Sequence, residues 1–494
     1  MYHIVGGGIA GLATAYRLQQ AGHETHVFEA SDDLGGLAAT YETAGDDIEQ
    51  FYHHLSKSEE TIVELADELG LGDRLDWLIG KNAYYVDGVV HPLDTAWQIA
   101  AYPHMSLYDK FRLGMLTLGV DVRGGVPDFD AYEDLSAYEH ERIEDFVVEH
   151  TTRGVYDNFV DPLLDGKFGD RKGDVSAAWF LGRVRFRGER DLLRGEKLGY
   201  FDGGFAPLVD ALVEAVGRDH ITTGARVTDV SVADEETLDT GERAVDADSN
   251  AGLDGTGAVE TVTVETDAGT ETHETDGVVV AAMPNVLEDL TGYQCDVDFQ
   301  GAVCALVTME DPVMDTYWLN IAHDAPFGAL VEHTNFVPPA QYGGDHLLYV
   351  ASYIQSPEET VWQADDDELR DLWLGHVEEM FPDFDRDSVT EFRVARNPRA
   401  APIYERGYLD LVVPYDLADD VAEGVYYAGM ASEAQYPERS LNGGVVAGFE
   451  CADRIIEKAS GAGGSDTGDP VDSSVVSVER ERRTQEPIAD GEGD

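Results

Sequence analysis

The sequence predicts an α/β fold in which a discontinuous nucleotide-binding domain is interleaved with a second, α+β domain. A βαβ pattern opens the chain, and αβ-like segments return near residues 200 and 425, with long mixed segments between them. A chain of 494 residues with 43% hydrophobic content can bury at least one large core, and its length indicates two or three structural units. One nucleotide domain interrupted by one other domain explains this pattern with the fewest units.

The amino-terminal βαβ unit consists of four successive runs, "YHIV", "GGGIAG", "LATAYRLQQAG" and "ETHVFEA". In the third run Leu12, Ala15, Tyr16 and Leu18 recur at near-helical spacing, and Gly22 ends the predicted helix. This order of strand, glycine turn, helix and strand is typical of a Rossmann-type sheet.

The turn between the first strand and the helix has the pattern G-x-G-x-x-G. Gly6 allows a tight turn, Gly8 allows close approach to a pyrophosphate, and Gly11 allows close packing of the helix on the strand. Glu29 closes the second strand 18 residues after Gly11, where a carboxylate can accept hydrogen bonds from a ribose. We therefore predict dinucleotide binding. The alternative is a glycine turn beside a solvated Glu29, and the unit alone does not distinguish NAD from FAD.

Changes of pattern along the chain predict six segments. The nucleotide domain takes residues 1–80, 199–290 and 420–458, the substrate domain takes residues 81–198 and 291–419, and residues 459–494 form a disordered acidic tail. From about 231 to 276 the chain is acidic and glycine-rich, which predicts an elaborated hairpin with a solvated tip.

The charge balance is strongly acidic, because 98 Asp and Glu residues against 33 Lys and Arg give a net charge of −65. Only seven of the basic residues are Lys. Such a surface resembles that of proteins from salt-loving archaea, in which high salt screens self-repulsion. A merely acidic protein from an ordinary cytoplasm is the alternative. Either surface repels nucleic acid and anionic lipid, so we predict no nucleic-acid partner.

The three cysteines, Cys295, Cys304 and Cys451, are odd in number and share no close spacing. They predict neither a disulfide framework nor a metal site, and they fit a reducing compartment. No apolar run reaches about 18 residues, and no leader precedes "YHIVGGG", so we expect a cytoplasmic protein without a transmembrane segment.

Five motifs carry a resemblance to a known family: "VGGGIAGL", "FEASDDLGG", "GARVTDV", "GVVVAAMP" and "YYAGMASEAQYPERSLNGGVVAGFECA". Together they resemble the flavin-containing amine oxidoreductase superfamily, which includes protoporphyrinogen oxidases, phytoene desaturases and monoamine oxidases. The resemblance spans residues 1 to about 457. It is closest to protoporphyrinogen-oxidase-like proteins, because "YYVDGVVHPL" and "FVDPLLDGKFGD" are similar to the middle of those chains. It implies that the bound cofactor is FAD.

The resemblance implies FAD contacts at both ends of the chain. Val227 would contact the adenine end through its backbone, and Gly429 would lie near the ribitol. The last helix, from Asn442, would direct its partially positive end towards the flavin ring. The implied FAD-binding residues are Gly6, Gly8, Ile9, Ala10, Gly11, Glu29, Ala30, Gly35, Gly36, Val227, Gly429, Asn442, Gly443, Gly444 and Val445.

Two positions depart from the family pattern. Leu37 stands where the family often has Arg after the double glycine, and Met430 stands where it often has an acidic residue. Both changes remove a polar contact to FAD. This predicts weaker binding unless backbone groups or the nearby Glu433 replace the lost contacts.

Two adjacent histidines, His53 and His54, follow the Gly35-Gly36 turn, where the family's chain crosses from the pyrophosphate towards the flavin ring. Adjacent side chains in an extended segment point to opposite sides, and no third ligand lies nearby in the sequence, so we expect no metal site. We predict that one of them, preferably His53, faces the flavin cavity, where it either carries protons or shapes the pocket.

A basic island, "GRVRFRGERDLLRGEKLG", is a candidate site for an anionic substrate. Alternation would place Arg183, Arg185 and Arg187 on one strand face, suited to carboxylate or phosphate groups. Internal pairing with neighbouring acidic residues is the alternative.

The run "NPRAAPIYERGY" is a second candidate. There Tyr404 would wall the flavin cavity, and Arg399 or Arg406 would meet an anionic group. Packing of Tyr404 in the core is the alternative.

The leading functional prediction is an FAD-dependent oxidoreductase. It would transfer a hydride equivalent from a C–N or C–C bond of a small organic substrate to the flavin, which an unidentified acceptor then reoxidises. One alternative is a flavin-dependent isomerase similar to UDP-galactopyranose mutase. A second is a non-redox binding protein like the GDP-dissociation inhibitors, which share the fold without flavin.

Overall fold

A computed structural model describes most of the chain, namely residues 1–119, 135–186, 190–191, 195–233, 257–322 and 325–461. The chain divides into two units, residues 1–456 and residues 457–494. All strands of the described residues belong to the first unit. The tip of the predicted acidic hairpin, most of the predicted tail, and Arg187 lie outside the described residues.

A five-stranded parallel sheet lies at the centre of the first unit, in the strand order β10, β2, β1, β14, β20. Its strands are β1 (Tyr2–Val5), β2 (Thr25–Phe28), β10 (Ile221–Thr222), β14 (Gly277–Val280) and β20 (Val425–Tyr427). β1 pairs in register with β2 and with the sequence-distant β14. The run "GVVV" of β14 is buried throughout, as expected for a parallel strand covered on both faces.

Different layers cover the two faces of this sheet. On one face, the helices α1 (Ile9–Gln20), α9 (Ala206–Val216) and α13 (Leu441–Ala459) pack on the strands through residues such as Leu18 and Val216. On the other face lies an antiparallel sheet of β11 (Arg226–Ala233), β12 (Ala258–Thr266) and β13 (Gly269–Glu274). The predicted FAD-domain segments supply all of these elements, although the division into domains stays a prediction.

A seven-stranded mixed sheet has the order β19, β15, β18, β17, β16, β6, β7. Its strands are β6 (Asn82–Val86), β7 (Val89–Pro92), β15 (Phe299–Met309), β16 (Trp318–Ile321), β17 (Ala329–Glu332), β18 (His346–Ile354) and β19 (Val389–Pro402). One face packs on α12 (Asp366–Met380) through the fully buried Trp373. The other face packs on the segments that surround the two histidines and α9, so the two large sheets enclose the region between them.

The remaining elements are short strands and helices that connect these layers. The strands are β3 (Thr40–Tyr41), β4 (Ile48–Glu49), β5 (Leu75–Gly80), β8 (Arg190–Asp191) and β9 (Gly195–Phe201). The helices are α2 (Glu60–Glu68), α3 (Ala96–Ala101), α4 (Leu107–Thr117), α5 (Ile143–His150), α6 (Arg153–Val155), α7 (Asp161–Phe168), α8 (Ala177–Phe186), α10 (Pro284–Thr291) and α11 (Thr360–Gln363). Within the described part of the chain, no helix combines the length and apolar content needed to cross a membrane.

Candidate cofactor and substrate site

The first glycine turn joins β1 to α1 through contacts that leave no room for a side chain. Gly6 has a φ of +113°, and a Cβ atom placed on it would lie 2.5 Å from the Ala281 carbonyl oxygen. A Cβ atom on Gly11 would lie 2.0 Å from the Gly6 carbonyl oxygen. The strand, the turn and the first helical turn are therefore in backbone contact, as close helix-strand packing around a pyrophosphate requires.

The double glycine lies directly against this turn. The Gly35 N–H donates to the Gly7 carbonyl at 2.9 Å, and a Cβ atom on Gly36 would be 3.2 Å from the Gly8 Cα. Gly8 is the N-cap of α1, and no side chain caps this helix. The turn thus presents a helix amino end and exposed backbone, without side chains, which fits a pyrophosphate.

Glu29 is held beside the glycine turn by three hydrogen bonds. Its carboxylate accepts from the Gly7 N–H at 2.7 Å, the Ser31 N–H at 2.8 Å and the Ser31 hydroxyl at 2.9 Å. The Glu29 carbonyl also accepts from the Ala225 N–H at 2.8 Å, which brings the buried Val227 of β11 close to the same strand end. Ala30, next to Glu29, is exposed.

The last helix begins beside the first one. A Cβ atom on Gly444 would lie 3.7 Å from Ile9 Cγ2 and 3.9 Å from the Ala10 nitrogen. The Asn442 side-chain oxygen accepts from the Ile62 N–H at 2.8 Å, so this residue ties α13 to the first turn of α2. Three helix amino ends, from distant parts of the sequence, consequently meet at one place.

Three other predicted residues complete this end of the site. Gly429 follows β20, and a Cβ atom on it would be 2.2 Å from the Ala282 carbonyl oxygen. A Cβ atom on Gly443 would be 2.7 Å from the Ala434 carbonyl oxygen. Val445 is fully buried in α13. The structure therefore brings the glycine turns from both ends of the chain to the same side of the parallel sheet.

Comparison with protein families decides the class of this site. The model of the flavin-containing amine oxidoreductases matches residues 9–456, which include every strand of the parallel sheet except β1. The chain belongs to the flavin-containing amine oxidoreductase family. At the level of this family, the predictions of a Rossmann-type fold, of FAD as the cofactor and of an FAD-dependent oxidoreductase are confirmed.

Several curated proteins are similar to the chain in sequence. The 15-cis-phytoene desaturase of Glycine max is 27% identical over 265 residues, which cover 48% of this chain and 43% of the desaturase. Protoporphyrinogen oxidase 2 of Arabidopsis thaliana is 27% identical over 167 residues, 33% of this chain and 31% of the oxidase. The matches thus span less than half of these curated relatives.

Solved structures extend the similarity of fold over nearly the whole chain. Cyclohexylamine oxidase from Brevibacterium oxydans superposes with a TM-score of 0.61 at 17% identity, covering 93% of this chain and 99% of that one. Reduced UDP-galactopyranose mutase superposes with a TM-score of 0.59 at 16% identity, covering 92% and 95%. At these identities the two structures establish the fold alone.

The structure places the two departures from the flavin-containing amine oxidoreductase pattern differently. Leu37 lines a cavity of about 10 Å³, room for about one water molecule, together with Phe51, His53, Asn397, Ala400 and Arg439. Met430 is half-buried directly after Gly429, and Glu433 is exposed at the start of a short turn.

His53 and His54 point to opposite sides of an extended segment. His53 lines the cavity with Leu37, and its Nδ1 donates to the Phe51 carbonyl at 2.5 Å, which leaves Nε2 as an acceptor. Burial and the neighbouring Arg439 cation lower the pKa of His53 to about 3, so its ring is neutral at ordinary pH. His54 packs on Tyr317 and on Trp318, the first residue of β16, with Nδ1 3.0 Å from the Tyr317 hydroxyl.

The strand predicted for the basic island is wrong, because Arg183 and Arg185 lie on helix α8. Five consecutive residues of this helix, 177–181, are buried in the core, which the alternating Arg pattern did not indicate. Arg183 forms an internal ion pair, since its guanidinium donates to the Glu438 carboxylate at 2.7 Å. Arg183 and Arg185 therefore do not lie on a strand, and Arg187 lies outside the described residues.

The second candidate run divides between the core and the surface. Tyr404 is fully buried, and its hydroxyl donates to the Gln435 carbonyl at 3.0 Å. Arg406 lines an open depression of about 480 Å³, together with His140, Asp174 and Glu405. None of the predicted FAD-binding residues lines this depression.

Sequence reasoning missed Arg439 as a residue of the site. It lies in "YPERSLNGG", two residues before α13 begins, and its side chain lines the same cavity as His53. A charged pair directly before the glycines of the last helix was the only local signal. Glu438, the other member of this pair, is bonded to Lys167 and Arg183 from distant segments.

Among the described residues, no cluster of three or more His, Cys, Asp or Glu side chains has the arrangement of a metal site.

Proposed function

We propose that the protein oxidises a small organic substrate by moving a hydride equivalent from a C–N or C–C bond to FAD. One observation carries this proposal: the two glycine turns and the amino ends of α1 and α13 converge on one site, with the Glu29 carboxylate fixed beside them. The residues proposed to bind FAD are those that the sequence predicted, namely Gly6, Gly8, Ile9, Ala10, Gly11, Glu29, Ala30, Gly35, Gly36, Val227, Gly429, Asn442, Gly443, Gly444 and Val445.

When bound, FAD supplies the redox chemistry, and the chain supplies orientation and electrostatics. We propose that the substrate reaches the flavin from the side of Leu37 and His53, because Leu37 follows the double glycine that touches Gly8. His53 presents a neutral ring there, with Nε2 available to accept a hydrogen bond or a proton from the substrate. The surrounding apolar side chains exclude water from the reacting bond.

The proposal is tested by spectroscopy of the purified protein reconstituted with FAD at high salt. Bound flavin gives visible bands, and amines, porphyrinogens and polyenes are then screened anaerobically for bleaching of these bands. Bleaching by a member of these classes supports the oxidoreductase and identifies the substrate class. Absence of flavin bands after reconstitution would contradict any flavin-dependent function and leave the non-redox binding protein.

The same experiment distinguishes the isomerase. A flavin-dependent isomerase of the UDP-galactopyranose mutase type requires prior reduction of the flavin and turns over a UDP-sugar without net redox change. Conversion of UDP-galactopyranose by the reduced protein only, with no bleaching by the other three substrate classes, would replace the oxidoreductase proposal.

We further propose that the protein works in a reducing, high-salt cytoplasm and passes electrons from FAD to a separate acceptor. The net charge of −65 and the three free cysteines support this setting.

A further inference from the structure

Six of the seven large hydrophobic side chains that are exposed in the described part of the chain lie between residues 89 and 118. These six are Val89, Trp97, Leu107, Tyr108, Phe111 and Leu118. Trp97, Leu107 and Leu118 have 78%, 82% and 75% of their surface exposed, so they contribute little to the core. Single exposed apolar residues are ordinary on a protein surface, but a group of them in one region is typical of an interaction site.

Helix α4 is apolar on the side that faces solvent. Leu107, Phe111 and Leu118, which directly follows the helix, are separated by four and seven residues, and this spacing places them on one side. On the other side Leu113 and Leu116 are buried in the core. A surface helix of a globular protein normally presents polar residues to water. The helix thus has two apolar sides, and the described chain covers one of them.

None of the exposed residues between 92 and 118, all of which the structure describes, carries a charge. They are Pro92, Ala96, Trp97, Ala100, Ala101, Pro103, Ser106, Leu107, Tyr108, Phe111, Gly114, Thr117 and Leu118. We refer to these residues as the apolar surface. In a chain with 98 Asp and Glu residues, such an uncharged area contrasts with the acidic composition of the molecule.

The charged side chains of the same stretch are hydrogen-bonded within the protein. They are Asp94, Asp109, Lys110 and Arg112. The Lys110 ammonium donates to the Ala100 carbonyl at 2.7 Å, which joins α4 to α3. Arg112 is buried and donates to the His150 carbonyl at 2.6 Å. The exposed sides of α3 and α4 therefore adjoin each other without a charge between them and solvent.

A lipid bilayer fits the apolar surface better than a second copy of the chain does. Lipid chains take up apolar side chains without a complementary shape, and Trp97 and Tyr108 are of the residue types that favour the boundary between lipid chains and headgroups. A bilayer of neutral lipid carries no net charge, whereas a second copy brings another net charge of −65. In concentrated salt the screening length is about 3 Å, so acidic residues elsewhere on the protein do not keep a bilayer away.

We propose that the apolar surface binds the protein to the face of a lipid bilayer, with Trp97, Leu107, Phe111 and Leu118 inserted among the lipid chains. Helices α3 and α4 then lie in the plane of the bilayer surface and do not cross it. Burial of apolar area drives the binding, so the binding persists at high salt. The inference goes beyond the proposed reaction and does not depend on it.

The test is flotation of the full-length, FAD-loaded protein with phosphatidylcholine vesicles, at a KCl concentration that keeps the protein folded. We expect the wild type to float with the vesicles. In W97Q/L107Q/L118Q the binding should weaken about a hundredfold or more, because complete burial of one such side chain changes an equilibrium about tenfold or more. The matched control, A215Q/E358Q/E378Q, places three glutamines at exposed positions outside the apolar surface and should bind as the wild type does.

Oxidative footprinting of the wild type covers the case in which W97Q/L107Q/L118Q does not fold. Phosphatidylcholine vesicles should reduce hydroxyl-radical labelling of Trp97, Tyr108 and Phe111. Labelling of Met1, the seventh exposed large hydrophobic residue of the described chain, should stay the same.

Three results would overturn the inference: wild-type protein that does not float, equal binding by the triple variant and its control, or unchanged labelling of the three aromatic residues. Light scattering without vesicles tests the second copy. A wild-type dimer that W97Q/L107Q/L118Q converts to a monomer, together with no flotation, would assign the apolar surface to a second copy and also overturn the inference.

The outcomes separate this inference from the proposed function. Flotation and footprinting measure lipid binding in the absence of substrate, and bleaching of the flavin bands is measured in the absence of vesicles. Protein that is bleached by a substrate but does not float would contradict the inference alone. Protein that floats but never retains FAD would contradict the proposed function alone.

Discussion

Glu332 is a carboxyl group with no exposed surface, at the end of β17. It accepts hydrogen bonds from the backbone N–H groups of Val313 and Met314, at 3.2 and 2.8 Å. Burial nevertheless dominates and raises its pKa to about 7. The His346 Nδ1 lies 4.0 Å from its carboxylate. This single residue therefore couples folding to pH in the neutral range.

We expect the free energy of unfolding of E332Q to increase, relative to that of the unsubstituted protein, as the pH rises. A raised folded pKa gives stability that is complete below the unfolded value of 4.5 and is lost as the pH rises through 7. The loss is about 3 kcal/mol over this window. Urea unfolding in concentrated KCl at pH 5 and pH 8 measures this loss of stability. E332Q and its parent both carry H346Q, which removes the neighbouring imidazole. The exposed E358Q is the control, and a difference between E332Q and its parent that does not change with pH would contradict the assignment.

The Glu438 cluster predicts a large effect of one neutral substitution. In E438Q, Lys167 and Arg183 lose their shared carboxylate, and breaking a buried ion pair costs about 3–5 kcal/mol. Because the pKa of Glu438 is lowered, its stabilisation is present above pH 4.5 and is lost as the pH falls towards 2. Urea unfolding at pH 7 measures this cost, with the exposed E433Q as the matched control. Equal stability of the two variants would show that the cluster contributes little to folding.

At the scale of elements, the turn between β1 and α1 depends on contacts between backbone atoms. The structure has no space for a methyl group on Gly11, because the Gly6 carbonyl oxygen lies 2.0 Å from the position of an added Cβ atom. Gly375, in contrast, lies within α12 with nothing within 4 Å of an added Cβ. The two glycines thus differ in what surrounds them, although both lie in helices.

We expect G11A to lose FAD. The added methyl group forces α1 away from β1, and the amino end of α1 then leaves its place beside the cofactor site. G375A should retain FAD and be more stable by up to about 1 kcal/mol, the usual gain from replacing an exposed helical glycine by alanine. Flavin absorbance after gel filtration and thermal unfolding measure the two effects. Full retention of FAD by G11A would show that the turn adapts.

The sequence predicted best those elements whose pattern is local. The glycine spacing and Glu29 indicated the first strand, turn and helix, which the structure contains as β1, the glycine turn and α1. It failed at α8, because alternating Arg residues match a strand while the apolar residues before them are buried on a helix. The position of Arg439 beside His53 was not accessible, because the residues around it, such as Tyr52 and Tyr353, are far away in the chain.

For the whole molecule, the net charge of −65 dominates the electrostatics. Charges repel over a screening length of about 10 Å at 0.1 M salt and about 3 Å at 1 M salt. The 98 Asp and Glu residues outnumber the 33 Lys and Arg residues, so most of the acidic residues cannot each pair with a different cation. Self-repulsion therefore opposes the compact state unless salt is concentrated.

We expect the protein to lose helical circular dichroism on dialysis from about 2 M to about 0.01 M KCl, as the screening length grows more than about tenfold. Sucrose at equal osmolality is the control, since it favours the compact state without screening charge. Retention of the full signal and an unchanged melting temperature in low salt would contradict adaptation to high salt.

The meeting of α1 and α13 has a consequence for how the protein is made. Ile9 and Ala10 lie beside Gly444, and β1 is separated from β20 only by β14 in the central sheet. The ribosome synthesises the chain from its amino end. More than four hundred residues are therefore added between the amino-terminal glycine turn and the amino end of α13. Nascent chains that stop before β20 lack one side of the cofactor site. We therefore expect the complete FAD site to form only after this region has been translated.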